Sequence, residues 1–168
     1  TAISEILRVT SASPTDVQPV LDAVAERAAQ LCEATFARVF LVDGEMLQPR
    51  AEYHAGTLKS GAEWEATDPV PLLRTSITGK AAVERKTVHL ADVLPLLDSD
   101  YPGARDNMLR FNCRAVLAVP LMREGGAYGA IFVSRQEPGL FPPDQVALVE
   151  TFAQQAAIAI DNVRLFNQ

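Results

Sequence analysis

The stretch Ala115-Val116-Leu117-Ala118-Val119-Pro120-Leu121 decides how the rest of this sequence is interpreted. It is followed by the turn residues Arg123-Glu124-Gly125-Gly126 and by a second apolar run, Gly129-Ala130-Ile131-Phe132-Val133. Two apolar runs separated by a Gly-rich turn predict a pair of antiparallel strands, with bounds Arg114–Met122 and Ala127–Arg135. We expect this pair to form the centre of a sheet.

A long helix is predicted after these strands. Pro142-Pro143-Asp144 opens it, since Pro is tolerated in a first helical turn, and its apolar periodicity runs to about Phe166. One apolar stripe has the alternating spacing of a helix that faces a partner, which is either the helix Val20–Leu31 or a second copy of the chain. We predict it to be a homodimer seam, formed by Val149, Ala153, Ala156, Ile160 and Val163.

The sequence of the N-terminal half predicts two helices followed by a β-hairpin. A short helix ends near Thr10, and a second begins after Thr15 or Asp16, either of which can cap it. Two strands follow, Phe36–Val42 and Met46–His54, and the Asp43-Gly44 between them is typical of a tight turn.

Two irregular stretches flank a short helix and strand. The first, Thr57–Pro71, is rich in Gly, Pro and acidic residues, and the second, Pro95–Asn112, holds a short helix around Ala104–Phe111. Between them we predict a helix over Ser76–Glu84, capped by its first residue, and a strand over Thr87–Leu90. Loops longer than about 12–15 residues are usually functional or mobile.

Composition limits the classes of function. The 168 residues suit one domain, and 48% hydrophobic with 21% charged residues is ordinary for a globular protein. A net charge of −6 disfavours nucleic-acid binding, because the phosphate backbone attracts clustered Lys and Arg. No apolar stretch reaches the ~20 residues of a membrane-spanning helix, so we expect no membrane contact by this domain. The N-terminus lacks Met and a secretion signal, and we expect a piece of a longer protein.

The few thiols and imidazoles disfavour metal and redox chemistry. Cys32 and Cys113 are the only cysteines and His54 and His89 the only histidines, all far apart in sequence. Zinc sites and redox pairs need clustered ligands or thiols, so we predict no metal site and no cofactor, and two unpaired thiols favour a reducing, cytoplasmic setting. Catalytic residues are predicted to be absent, since no nucleophile has an evident base beside it.

The whole order of elements, with three motifs in the C-terminal half, resembles the GAF domain. The motifs are Ala115–Leu121, Gly129–Val133 with Phe141, and Phe152–Asn162 (FAQQAAIAIDN). The resemblance covers roughly residues 15 to 166 and is to GAF domains of the kind found in bacterial sensor histidine kinases and nucleotide cyclases. We therefore divide the chain into a linker helix at residues 1–14, the end of a signalling helix, and a GAF domain at residues 15–168.

This resemblance implies an α+β sandwich with about six antiparallel strands, helices on both faces, and a small-molecule pocket on one face. The loops over that pocket correspond to Thr57–Thr75 and Pro95–Asn112. Bilin-binding GAF domains have His directly after the attachment Cys, whereas Arg114 follows Cys113 here. The Asn-Lys-x-Phe-Asp-Glu pattern of cyclic-nucleotide-binding members is absent, and the sulfoxide reductases of this fold need several thiols.

Loop placement selects the candidate ligand-binding residues. They are Tyr53, Trp64, Arg74, Ser76, Tyr101, Arg110, Phe111 and Arg114. The three arginines favour an anionic small molecule, because a guanidinium group matches two oxygens of a carboxylate or phosphate. The alternative for each arginine is a solvent-facing ion pair with an acid such as Asp92, Asp98 or Asp106.

Three hypotheses of function follow. The first is a regulatory sensor, in which ligand binding under the loops shifts the flanking helices and so an output domain in the same polypeptide. The second is a dimerisation module without a ligand. The third is an enzyme that uses Cys113 on a small oxidised metabolite.

Overall fold

The computed structural model describes residues 16–60 and 64–166, so the predicted first helix lies outside the described residues. The helices are α1 (Gln18–Leu31), α2 (Ile77–Glu84), α3 (Arg105–Arg110) and α4 (Pro143–Phe166), with short 3-10 turns at Leu94–Leu96 and Pro102–Ala104. The strands are β1 (Phe36–Asp43), β2 (Met46–His54), β3 (Thr57–Ser60), β4 (Val70–Pro71), β5 (Val88–Leu90), β6 (Ala115–Arg123) and β7 (Gly126–Arg135).

One antiparallel sheet carries the domain, in the order β3-β2-β1-β7-β6-β5, with β4 paired to β2. The α+β fold with about six strands is confirmed, and so are the hairpins around Asp43-Gly44 and Glu124-Gly125. The prediction that β6 and β7 form the centre is wrong in part, because the central pair is β1 and β7. The stretch Thr57–Pro71 is also not wholly irregular, since it contains β3 and β4.

The helices begin and end where their residues favour it. At α1, the carboxylate of Asp16 accepts a hydrogen bond from the N–H of Gln18 at 2.9 Å, and Pro19 falls in the first turn. At α2, the hydroxyl of Ser76 accepts a hydrogen bond from the N–H of Gly79 at 3.0 Å, which confirms the predicted cap. Helix α2 ends at Glu84, and the next residue, Arg85, has a left-handed backbone conformation, φ 56°.

Alternate residues of each strand face opposite cores. Ala37 and Val39 of β1 point to the core beneath α1 and α4, whereas Phe36 and Phe40 point to the core beneath α2 and the loops. Arg38 lies between the two phenylalanines and therefore projects into the second core. The chain thus places a charged residue in the centre of an otherwise apolar face.

The predicted dimer seam on α4 is corrected by the structure. Val149, Ala153, Ala156 and Ile160 belong to the core that α4 forms with α1 and the sheet, and Val163 is half-buried. Four of these five side chains are already covered within one chain, so they cannot meet a second copy. Of the two partners the spacing left open, the helix of the same chain is the one found, while dimerisation itself stays a prediction.

Within the part of the chain that the structure describes, no helix combines the length and apolar character needed to cross a membrane.

Candidate functional site

A small apolar cavity lies between the sheet, α2 and the loops on the second face. Its volume is about 20 Å³, which is room for about one water molecule. Strands, helix and loop segments all contribute to its wall. The lining residues are Phe36, Arg38, Phe40, Val70, Ser76, Ile77, Thr78, Ala104, Asn107, Met108, Phe111 and Phe132.

Among the described residues, Arg38 is the only charged side chain in this wall, and it is 1% exposed. Its Nε lies 3.1 Å from Oε1 of Glu52, its neighbour across the β1–β2 pair, and its Nη2 lies 3.3 Å from Oδ1 of Asp68. Its guanidinium carbon lies 5.1–5.7 Å from the centres of four aromatic rings, those of Phe36, Phe40, Trp64 and Phe111. Two carboxylates and several ring faces thus compensate one buried cation.

Asp68 holds the loop above β2 onto this cation. Its side chain is fully buried, and Oδ1 also accepts a hydrogen bond from Nη1 of Arg110 at 2.9 Å. Oδ2 accepts one from the N–H of Glu65 at 2.7 Å. Burial by itself would raise the pKa of Asp68, but the Glu65 N–H and the charges of Arg38 and Arg110 outweigh it and hold that pKa below 3.8. The carboxylate is therefore ionised at neutral pH.

The two loops over the cavity are joined to each other and to α2. Nδ2 of Asn107 donates a hydrogen bond to the carbonyl oxygen of Thr67 at 3.1 Å, and the N–H of Gly103 donates one to the carbonyl oxygen of Thr75 at 2.9 Å. Nζ of Lys80 on α2 lies 3.5 Å from the hydroxyl of Tyr101. The cavity roof and α2 therefore form one connected structure.

Four of the predicted ligand-binding residues lie at the cavity. Ser76 and Phe111 line it, Trp64 covers the guanidinium of Arg38, and Arg110 bonds to Asp68 from the surface. These residues come from three different segments of the chain, and the structure brings them together around Arg38.

The other four predicted ligand-binding residues lie elsewhere. Tyr53 packs against the core on the opposite face, and Tyr101 is buried in the second core outside the cavity wall. Arg74 is mostly exposed and pairs with Glu84 at 2.9 Å, while Arg114 pairs with Asp92 at 2.6 Å. Each of these two arginines thus forms an ion pair with a nearby acid, which was the alternative to ligand binding.

The residues at the centre of the site, namely Arg38, Glu52 and Asp68, were not among the predicted ligand-binding residues. One signal was available, since Arg38 interrupts the run Phe36-Ala37-Arg38-Val39-Phe40 at a position whose neighbours on the same face are phenylalanines. A charge within a buried face requires a buried partner. The identity of that partner could not be deduced, because Asp68 is 30 residues away.

The cysteines lie in different cores. Cys113 belongs to the cavity side, where its Sγ lies 3.2 Å from Oγ of Ser134, and Cys32 belongs to the core beneath α1 and α4. Burial raises the pKa of each thiol to about 11. Both thiols are therefore poor nucleophiles at neutral pH.

The histidines make structural contacts. His54 packs edge-on against Phe36 and Phe111 at the rim of the cavity, and Nε2 of His89 accepts a hydrogen bond from the N–H of Phe141 at 2.9 Å. Burial lowers the pKa of His89. Among the described residues, no group of three or more His, Cys, Asp or Glu side chains could hold a metal ion.

Comparison with known families agrees with this architecture. The family model described as GAF domain matches residues 16–160. The chain belongs to the GAF family. GAF domains are regulatory small-molecule-binding modules of signalling proteins. No curated protein matches the sequence.

Several solved structures share the fold. The GAF domain of an Acinetobacter phosphoenolpyruvate-protein phosphotransferase has a TM-score of 0.76 at 15% identity, covering 98% of this chain and 93% of that one. Residues 122 to 287 of a methyl-accepting chemotaxis protein have a TM-score of 0.72 at 20% identity, covering 99% and 98%. A free methionine-R-sulfoxide reductase from Neisseria meningitidis, solved with its substrate, has a TM-score of 0.73 at 18% identity, covering 98% and 89%. At these identities the likeness extends to the fold alone.

Proposed function

We propose that this GAF domain is a small-molecule sensor of a cytoplasmic bacterial signalling protein, such as a histidine kinase or a nucleotide cyclase. Its ligand binds in the cavity beside Arg38, under the two loops. The observation that carries the proposal is a buried, charge-compensated arginine in an apolar wall roofed by loop residues. Such a combination of apolar walls and few polar groups is typical of ligand sites.

A connected set of contacts supports the transmission of a conformational change from the cavity to α4. Ile77 and Thr78, at the start of α2, line the cavity. At the end of α2, Arg85 donates hydrogen bonds of 3.1 Å to the carbonyl oxygens of Arg123 and Gly126 in the β6–β7 turn. A displacement of α2 would therefore reach this turn.

Strand β7, which follows this turn, contacts the last part of α4 through Tyr128. Its hydroxyl donates a hydrogen bond to the carboxylate of Asp161 and accepts one from Nη1 of Arg164 at 3.0 Å. Signalling further requires that the ligand bind one arrangement of α4 more tightly than another, because equal affinity shifts no equilibrium.

A ligand-free dimerisation module is the second candidate, and the small volume of the cavity favours it. A thiol enzyme is disfavoured because the thiol of Cys113 is buried and has a raised pKa.

Native mass spectrometry of the purified protein, compared with its denatured mass, tests the sensor. We expect an excess mass that is lost on denaturation, and also lost in Phe111→Ala at the cavity but kept in Tyr53→Ala on the opposite face. A bare mass in every sample, with no thermal shift from any compound of a metabolite panel, would contradict the sensor and favour the dimerisation module.

A further inference from the structure

The buried carboxylate of Asp68 is supplied by a loop, whereas the two cations that bind it are supplied by regular elements. Residues 64–69 contain no helix or strand, while Arg38 lies in β1 and Arg110 ends α3. Oδ1 of Asp68 lies 3.3 Å from Nη2 of Arg38 and 2.9 Å from Nη1 of Arg110. The cluster thus has a fixed cationic part and a carboxylate on a connecting segment.

The charges of the cluster balance only with Asp68 in place. Arg38 and Arg110 carry two positive charges, and Glu52 and Asp68 carry two negative ones. Without Asp68 the remaining groups have a net charge of +1, part of it fully buried. A monoanion in its place restores the balance, whereas a phosphate of charge near −2 exceeds it.

The cavity beside Arg38, the partner of this carboxylate, is mostly apolar. The apolar lining of the cavity includes phenylalanine, valine, isoleucine and methionine side chains, and its polar lining residues besides Arg38 are Ser76, Thr78 and Asn107. Its volume of about 20 Å³ is too small for an organic molecule while the loop is in place. Moving residues 64–69 outwards would add the volume now filled by Asp68.

We propose that Asp68 is an internal substitute for the carboxylate of the ligand, and that the ligand is a small monocarboxylic acid with an apolar body. The acid displaces Asp68 from Arg38 and Arg110, and the loop at 64–69 moves with it. This inference rests on the proposed sensor function of the cavity.

Displacement of the loop has a defined structural consequence. The hydrogen bond from Asn107 to the carbonyl oxygen of Thr67 joins the loop to α3, and it must break when the loop leaves. Trp64, at 5.5 Å from the guanidinium carbon of Arg38, moves at the same time. Since Trp64 is the only tryptophan of the chain, its fluorescence reports the displacement directly.

Titration of Trp64 fluorescence with benzoate, and with benzyl alcohol as the uncharged counterpart, tests the proposal. Asp68→Asn removes the competing charge, so we expect it to bind benzoate at least about tenfold more tightly than the unmodified protein. Arg110→Gln should weaken benzoate binding, while Arg105→Gln, on the same helix but paired with Asp98, should not. Arg110 and Arg105 are both substantially exposed, so neither variant is expected to unfold, which circular dichroism checks.

Three results would overturn the proposal: Asp68→Asn binding benzoate no more tightly than the unmodified protein or not at all, Arg110→Gln binding it as well as Arg105→Gln, or benzyl alcohol binding as tightly as benzoate. None of them contradicts the sensor itself. An excess mass that depends on Phe111 would still identify a ligand, of a different chemical class.

Discussion

Nη2 of Arg38 and Oδ1 of Asp68 lie 3.3 Å apart in the interior, although the two residues are 30 positions apart in the chain and belong to a strand and a loop. Because Arg38 is almost fully enclosed, its charge depends on the carboxylates of Asp68 and Glu52 for compensation. This ion cluster ties the conformation of the loop to the stability of the sheet.

Removing one member of the buried cluster should lower the free energy of unfolding. Arg38→Met leaves the carboxylate of Glu52 without its cation, and we expect a loss of about 3–5 kcal/mol in the free energy of unfolding. The double variant Arg38→Met/Glu52→Leu should recover most of that loss, because it replaces the pair by apolar groups. Urea unfolding measures both, with Arg105→Ala at a surface pair as the control, expected to cost less than about 1 kcal/mol. Equal losses in Arg38→Met and Arg105→Ala would contradict the prediction.

Acid should destabilise the domain through Asp68. The pKa of this carboxyl is lowered in the folded chain from its ordinary value of 3.8, so its contribution is present above that value and is lost as the pH falls through the lower, folded pKa. The difference in unfolding free energy between the unmodified protein and Asp68→Asn should therefore shrink below pH 3.8. Urea unfolding from pH 6 to the lowest pH at which the protein still folds measures it, and a difference that stays constant would show that Asp68 does not titrate as described.

Both thiols should resist modification in the folded protein. With pKa values of about 11, roughly one molecule in a thousand carries a given thiolate at pH 8, and both side chains are buried. We expect DTNB to react slowly with the native protein. In 6 M guanidinium chloride it should react quickly with two thiols per chain. If Cys113 alone reacted quickly in the native state, which Cys113→Ser would identify, the assignment of a buried, inert thiol would be wrong.

A side chain at Gly129 should disrupt the central strand pair. A Cβ built there would lie 1.9 Å from the carbonyl oxygen of Phe40 on β1, and backbone atoms cannot yield cheaply. Gly129→Ala should therefore destabilise the domain by more than about 2 kcal/mol. Gly126→Ala in the same strand is the matched control, because its Cβ meets only the Cγ of Arg123 at 3.9 Å. Thermal unfolding of the two variants gives the comparison, and similar melting temperatures would refute the close approach.

Tyr128 should hold the last turns of α4 against strand β7. Tyr128→Phe removes the hydroxyl that bonds to Asp161 and Arg164, so amides beyond residue 160 should exchange faster while those near Phe152 remain unchanged. Hydrogen exchange followed by mass spectrometry measures this. Unchanged exchange beyond residue 160 would remove Tyr128 from the proposed route to α4.

Local patterns were sufficient for most elements. The strand pair after Asn112, the turns at Asp43-Gly44 and Glu124-Gly125, the cap at Ser76 and the extent of α4 depend on the order of neighbouring residues, and the structure confirms each. The short edge strand β3 was missed because its pairing depends on the free edge of β2, which no residue of the loop itself indicates.

The order of helices, strands and loops follows from periodicity and turn chemistry along the chain. The motifs Ala115–Leu121, Gly129–Val133 and Phe152–Asn162 carry the resemblance to the GAF domain, and that resemblance implied the fold class and the loops over the pocket. Three features depended on tertiary contacts. They are the burial of Val149, Ala153, Ala156 and Ile160 of α4 within their own chain, the pairing of Arg74 and Arg114 with acids, and the buried cluster of Arg38, Glu52 and Asp68. The burial of a helix face and the compensation of a charge both depend on groups from distant parts of the chain. Local periodicity does not show which distant groups will lie next to a given residue.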